Sequence, residues 1–211
     1  MKIVFTDLPM KKELHGFNYR VNGNKTIEYD GKVCFPVNSV LAKTIKKGEK
    51  VRVALLSKTD IDGNSAINVC KFQKELNEIN RSIGADIEYV TLTTPFEETR
   101  DVHESLFRDM VSKLQDNADV IGDVTYGPKT LPIIMFAVMN FAEKFFNAKI
   151  LNIVYGKVDF VDDDSGTGKT KPINPVLYDL TPLYYLNNVT NAMEYKSSGD
   201  ALKALNALLD L

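Results

Sequence analysis

The sequence predicts an α/β fold: a doubly wound, mainly parallel sheet followed by a C-terminal β-hairpin and a helical tail. Three observations predict it. Short apolar, β-branched runs alternate with longer amphipathic segments over most of the chain. Its 211 residues suffice for one large α/β domain with a small appendage. With 44% hydrophobic content, it has enough apolar side chains to fill a core.

The opening run MKIVFTD, Met1 to Asp7, reads as a buried strand. After it, Asn22-Gly23 with aromatic residues on either side predicts a hairpin turn, and a helix from about Pro36 should stop at Gly48. VRVALLS, Val51 to Ser57, is a second strand, followed by a polar loop and a helix ending near Gly84. IEYVTL is the third strand. In the next segment Val102, Leu106, Met110 and Leu114 recur four apart, with Phe107 and Val111 widening the stripe, so a helix with one buried face is predicted. ADVIGDVT is the fourth strand. The helix from Leu131 to Phe146 has 12 apolar residues in 16 and must be covered on most sides, within one chain or also by its copy in a partner. AKILNIVYG, Ala148 to Gly156, is the fifth strand. Lys157–Val161 and Val176–Leu180 read as the arms of a hairpin with a polar tip. Asp179-Leu-Thr181-Pro182 then opens a helical tail that Ser198-Gly199 divides in two.

Composition narrows the function classes. Lys and Arg number 26 against 28 Asp and Glu, a formal charge of −2, so no broad positive field attracts duplex DNA or an anionic membrane. Cys34 and Cys70 stand far apart without metal-ligand spacing, as in a cytoplasmic protein with reduced thiols. No cofactor or metal motif is expected, and the most apolar segment is too short to span a bilayer. SGTGKT, Ser165 to Thr170, looks like the end of a phosphate-binding P-loop. However, Asp163 stands where that motif needs glycine, three aspartates precede it and Lys171-Pro172 follows, so it reads as a hairpin tip.

The segment DVTYGPKTLP, Asp123 to Pro132, carries the chemistry. It leaves the fourth strand, turns at Gly127-Pro128 and enters the apolar helix with Thr130 as N-cap and Pro132 in the first turn. Amide groups at such a helix start suit an anion, with Lys129 adding charge and Thr125 and Thr130 adding hydroxyls. On the loop alone, a plain reading stands level with this one: Thr130 only caps, Gly127 only turns and Lys129 is solvated. In a doubly wound sheet the strand ends TDLP, Thr6 to Pro9, and SKTD, beginning at Ser57, lie on the same edge.

Taken together, these residues resemble the sensor domains of type III CRISPR accessory proteins, the CRISPR-associated Rossmann-fold (CARF) domains. The branch hallmark is Asp-x-Thr-His-Gly-x-Arg-x-x-Pro; here Asp123, Thr125, Gly127 and Pro132 keep the frame, while Tyr126 replaces histidine and Lys129 replaces arginine. The opening strand, the aromatic segment near Tyr19 and Tyr29, ILNIVYG and the late YDLTPL follow the family's order.

The resemblance implies a Rossmann-like ligand-sensing domain over residues 1–180 and a helical extension over 181–211, of the kind that connects to a C-terminal effector domain. The effector motif Arg-x-x-x-x-His is absent: His15 and His103 both precede the hallmark, and His103 lies beside its helix's apolar stripe as a partly packed surface histidine. The implied ligand is a cyclic oligoadenylate, a tetra- or hexa-adenylate ring shared across a homodimer two-fold. Lys129, Thr130 and the amides near Gly127 would hold phosphate. Thr6, Asp7, Ser57, Lys58 and Tyr126 would meet adenine or ribose, with Leu8, Thr59, Asp123, Thr125 and Pro128 completing the edge. Asp123 has a second reading, as an acid that fixes the loop through backbone amides. Some relatives cut the ring by metal-independent attack of a ribose 2′-hydroxyl, for which Lys129, Tyr126 and Ser57 are the candidate catalytic residues. No general base near neutral pH is evident. A nucleotide-cofactor enzyme on the same fold is the alternative, against which the first strand is followed by TDLPMKKE and lacks G-x-G-x-x-G.

Overall fold

The computed structural model of the chain describes residues 1–59, 62–162, 170–194 and 197–209. It is an α/β, Rossmann-like doubly wound fold. Its strands are β1 (Lys2–Asp7), β2 (Arg20–Asn22), β3 (Lys50–Thr59), β4 (Asp86–Pro95), β5 (Asp119–Asp123), β6 (Lys149–Asp162) and β7 (Thr170–Asp179). Among the described residues these form one seven-stranded sheet in the order β2-β7-β6-β5-β1-β3-β4. Strands β4, β3, β1, β5 and β6 run parallel, β7 returns antiparallel to β6, and β2 lies parallel to β7.

The crossovers are helices α1 (Pro36–Thr44), α2 (Asn64–Asn80), α3 (Arg100–Val111) and α4 (Leu131–Phe146). All six residues of β1 are buried, as expected of a central parallel strand covered on both faces. On one face Val4, Val53, Leu55, Ile121 and Val154 pack under α1 and α2, where Phe35 and Phe72 meet edge to face at 5.0 Å. On the other face α4 lies so close to β5 that a Cβ on Gly122 would stand 2.3 Å from the Met139 methyl. The α1 entry is capped from α2: the Glu75 carboxylate accepts the Cys34 N–H at 2.7 Å, the Phe35 N–H at 3.2 Å and an Asn38 amide hydrogen at 2.9 Å.

Three expectations are corrected. Asn22-Gly23 does not turn a hairpin. The Val21 N–H donates to the Glu28 carboxylate at 2.6 Å, and the Asn24 side chain starts a single 3₁₀ turn, Lys25–Ile27, so Arg20–Asn22 pairs with β7 instead. Helix α1 stops at Thr44, before Gly48, because Ile45 is already extended. The predicted fifth strand and the first hairpin arm are one continuous strand, β6. Gly156 does not end it but lets Pro36 approach to within 2.3 Å of where a Cβ would sit. Of the Ser165–Thr170 stretch only Thr170 lies within the described residues.

Two compact units divide the chain, Met1–Thr181 and Pro182–Leu211. The second contains most of α5 (Thr181–Ala192) and all of α6 (Ser198–Leu209), the latter capped by Ser197, whose hydroxyl accepts the Asp200 N–H at 3.2 Å. Among the described residues no helix is long and apolar enough to cross a membrane, and no cluster of His, Cys, Asp or Glu could hold a metal ion.

Candidate functional site

The order β5-β1-β3 makes β1 the switch point of the sheet: the chain leaves β1 toward β3 and returns to its other side as β5. The carboxyl ends of β1, β3, β5 and β6 therefore share an edge, and the loop from Asp123 to Thr130 lies across it.

Asp123 at the base of this loop is spent on structure. One carboxylate oxygen accepts from the Thr125 N–H at 2.9 Å and from the Thr125 hydroxyl, and the other accepts from the Thr6 hydroxyl at 3.0 Å. The Thr125 oxygen in turn accepts the Gly156 N–H of β6 at 2.8 Å. The same unit recurs at the end of β7, where Asp179 accepts from the Thr181 N–H and hydroxyl and the Thr181 oxygen accepts the Ile153 N–H at 2.9 Å. Two Asp-x-Thr clips thus fasten β6, one on its β5 side and one on its β7 side. Burial raises the Asp123 carboxyl from 3.8 to about 6, opposed mainly by its bonds from Thr125.

Asp7, one residue beyond Thr6, is the more exceptional acid. It is 1% exposed, and its Oδ1 accepts the Leu8 N–H at 2.8 Å. Its Oδ2 has no hydrogen-bond partner among the described residues. Burial raises this carboxyl from 3.8 to about 7, the charge of Lys58 being the largest opposing influence. Gly127 lies against the same oxygen: at φ +95° its backbone passes so near that a Cβ would stand 2.1 Å from Oδ2.

Helix α4 begins at Leu131, and its first amides are already engaged: Leu131 donates to the Pro128 carbonyl at 3.0 Å, and Ile133 and Ile134 donate to that of Thr130. Thr130 makes no side-chain cap. Its hydroxyl donates to the carboxylate of Glu98, from the β4–α3 loop, which also pairs with His103 Nε2 at 3.2 Å. The Thr130 bond holds the Glu98 carboxyl below the ordinary carboxylate range. A carboxylate of the chain thus stands at this helix start.

The other predicted residues separate. Ser57 Oγ bonds to Ser65 Oγ at 3.0 Å, facing α2. Lys58 is buried and its ammonium donates to Thr94 Oγ1 at 3.0 Å. The Tyr126 hydroxyl donates to the Cys34 carbonyl at 3.1 Å, and burial pushes its pKa upward. Leu8 is buried, while Thr59 and Lys129 are exposed.

A cavity of about 780 Å³ opens along this edge. From the predicted set, Leu8, Lys58 and Thr125 to Pro128 line it; Lys129 and Thr130 do not. Ser57 and Thr59 line a smaller neighbouring cavity of about 410 Å³, so Ser57, Tyr126 and Lys129 do not share one lining. The residues that sequence reasoning missed include Lys11, Glu13, His15, Phe96, Tyr155, Lys157 and Phe160. Tyr155 and Lys157 carry a usable signal, since alternate residues of a strand point to one face. Tyr155 also stacks on Tyr178 across the β6–β7 pair, with centroids 6.3 Å apart.

Fold and cavity together define the class: a doubly wound α/β protein with a ligand-sized cleft beside its switch point. No protein-family model matches the chain, and no curated protein matches it significantly.

Proposed function

We propose that this protein is a sensor of the CARF kind, binding a cyclic oligoadenylate in the cavity at the sheet edge and acting in type III CRISPR antiviral defence. The observation that carries the reading is the lining. Four aromatic residues are exposed in the first unit among the described residues (Phe96, Phe145, Tyr155 and Phe160), and three of them line this one cavity. Three lysines, Lys11, Lys58 and Lys157, stand there against the single acid Glu13, although the chain as a whole is negative. Flat apolar faces interleaved with cations suit a ligand made of bases joined by phosphates. A ring with an even number of nucleotides presents the same half to each of two subunits, so the reading carries a homodimer with it. Lys11, Lys58 and Lys157, rather than Lys129, are the cations that line the cavity.

Titration with cyclic tetra- and hexa-adenylate tests it. One ring should bind, and Tyr155→Ala and Phe160→Ala should each weaken binding by roughly 5- to 150-fold, from about 1–3 kcal/mol per stacked base. Both variants should keep the wild-type melting temperature to within a few degrees. Binding of neither ring, or affinity untouched by both changes, refutes the reading.

A further inference from the structure

We propose that binding of a phosphodiester ligand in the cavity is coupled to uptake of one proton by Asp7. This rests on the reading of the cavity as a phosphodiester site. Asp7 lies directly behind the lining formed by its neighbours Leu8, Lys58 and Gly127, and its Oδ2 is buried with no hydrogen-bond partner among the described residues. The compensation available to that oxygen as an anion is the charge of Lys58 on β3, the largest influence opposing its burial. Lys58 also lines the cavity, and its ammonium donates to Thr94 Oγ1. One cation therefore serves two masters.

A phosphate that approaches Lys58 draws on the same positive charge and adds a negative charge of its own. Asp7 then loses its support, and the neutral carboxyl becomes the favoured form. The other charged groups around Asp7 act in known directions. Asp123 on β5 already disfavours the anion, and its oxygens are occupied by Thr6 and Thr125. Lys11, Glu13 and His15 from the loop after β1, and Lys157 from β6, line the cavity itself, while Glu98 of the β4–α3 loop senses Lys58. Asp123, His15 and the Glu98–His103 pair are the other titratable groups on this edge that a variant must separate from Asp7. Burial lifts the Asp7 carboxyl to about 7, which supports the same conclusion, since a group poised between its two forms responds to a modest change of field.

Calorimetric titration of the full chain with cyclic tetra-adenylate, and with the hexa-adenylate if only that ring binds, decides the matter. The diester linkages of these rings do not themselves titrate near neutral pH. Measured at roughly pH 8 in two buffers, the wild-type enthalpy should differ by the difference in their ionisation heats multiplied by up to about one proton per chain. Affinity should fall by up to about tenfold per pH unit as pH rises above neutrality. Asp7→Asn should bind without either effect. Clear binding with equal enthalpies in the two buffers overturns the coupling while leaving the sensor reading intact, and needs no variant. Uptake that persists in Asp7→Asn also overturns it, assigning the proton to another group. Failure of both rings to bind removes the sensor reading and this proposal with it.

Discussion

Gly127→Ala is the most direct probe of how the loop is seated. The new methyl would stand 2.1 Å from Asp7 Oδ2 and 2.9 Å from Leu131 Cδ2, on a backbone held at φ +95°. The Leu131 contact is the end of a flexible side chain and yields. Asp7 does not, because its other oxygen holds the Leu8 amide and the side chain is buried. The backbone conformation costs an L-residue about 1–2 kcal/mol, and forcing extra volume into a packed site costs about 1–3 kcal/mol more. Urea denaturation at neutral pH should therefore show a loss of about 2–5 kcal/mol. A double-mutant cycle isolates the contact. In an Asp7→Ala background the same glycine change should cost only the backbone part, giving a coupling of about 1–3 kcal/mol. A loss under about 0.5 kcal/mol in the single variant, or no coupling in the cycle, would show that Gly127 does not rest on Asp7.

Two further predictions concern stability. Asp7 and Asp123 both have native values raised above 3.8, to about 7 and about 6, so the native state holds their protons more tightly than the unfolded chain. Their contribution is complete below the unfolded value and is lost as pH rises through the native values. For Asp7 the loss is on the order of 4 kcal/mol as an upper bound, at about 1.4 kcal/mol per pKa unit. Denaturation curves collected from mildly acid to mildly alkaline pH should show Asp7→Asn gaining on the wild type as pH rises, and curves that stay parallel would contradict the burial argument. Glu75→Ala removes the acceptor of two backbone amides at the start of α1 and should cost about 2–4 kcal/mol. Glu75→Gln, which keeps one carbonyl oxygen, should recover part of this, and a wild-type melting temperature in Glu75→Ala would show that the cap is dispensable.

The sheet was legible because its central strands are continuous apolar runs, and Val4, Val53 and Ile121 are buried where that pattern places them. The edge was harder. Asn22-Gly23 carries a strong local turn signal, yet the Glu28 side chain takes the Val21 amide, a tertiary choice that no short-range pattern encodes. Gly156 looks like a strand end because glycine breaks strands, but here it makes room for Pro36, fixed only when α1 folds onto the sheet. At the site, the loop's position and the convergence of the strand ends could be read from the order of elements. The fate of each polar group could not: Thr130 turns to Glu98, 32 residues earlier, and Tyr126 to Cys34, 92 residues earlier. Phe160 was hidden for the same reason that Gly156 misled, since a strand broken at Gly156 does not run on from Tyr155 to carry Phe160 to the cleft.

The paired Asp-x-Thr clips have a consequence for how this surface can change over time. Each threonine oxygen supplies the acceptor for a β6 amide, so Thr181→Val would leave the buried Ile153 N–H without a partner and Thr125→Val would remove the acceptor of the half-buried Gly156 N–H. The root of the loop is thereby anchored to β6 by the chain's own hydrogen bonds. Substitutions at Tyr126, Pro128 and Lys129 leave that anchor in place, and a scaffold of this kind tolerates new chemistry at its rim while its foundations are held constant.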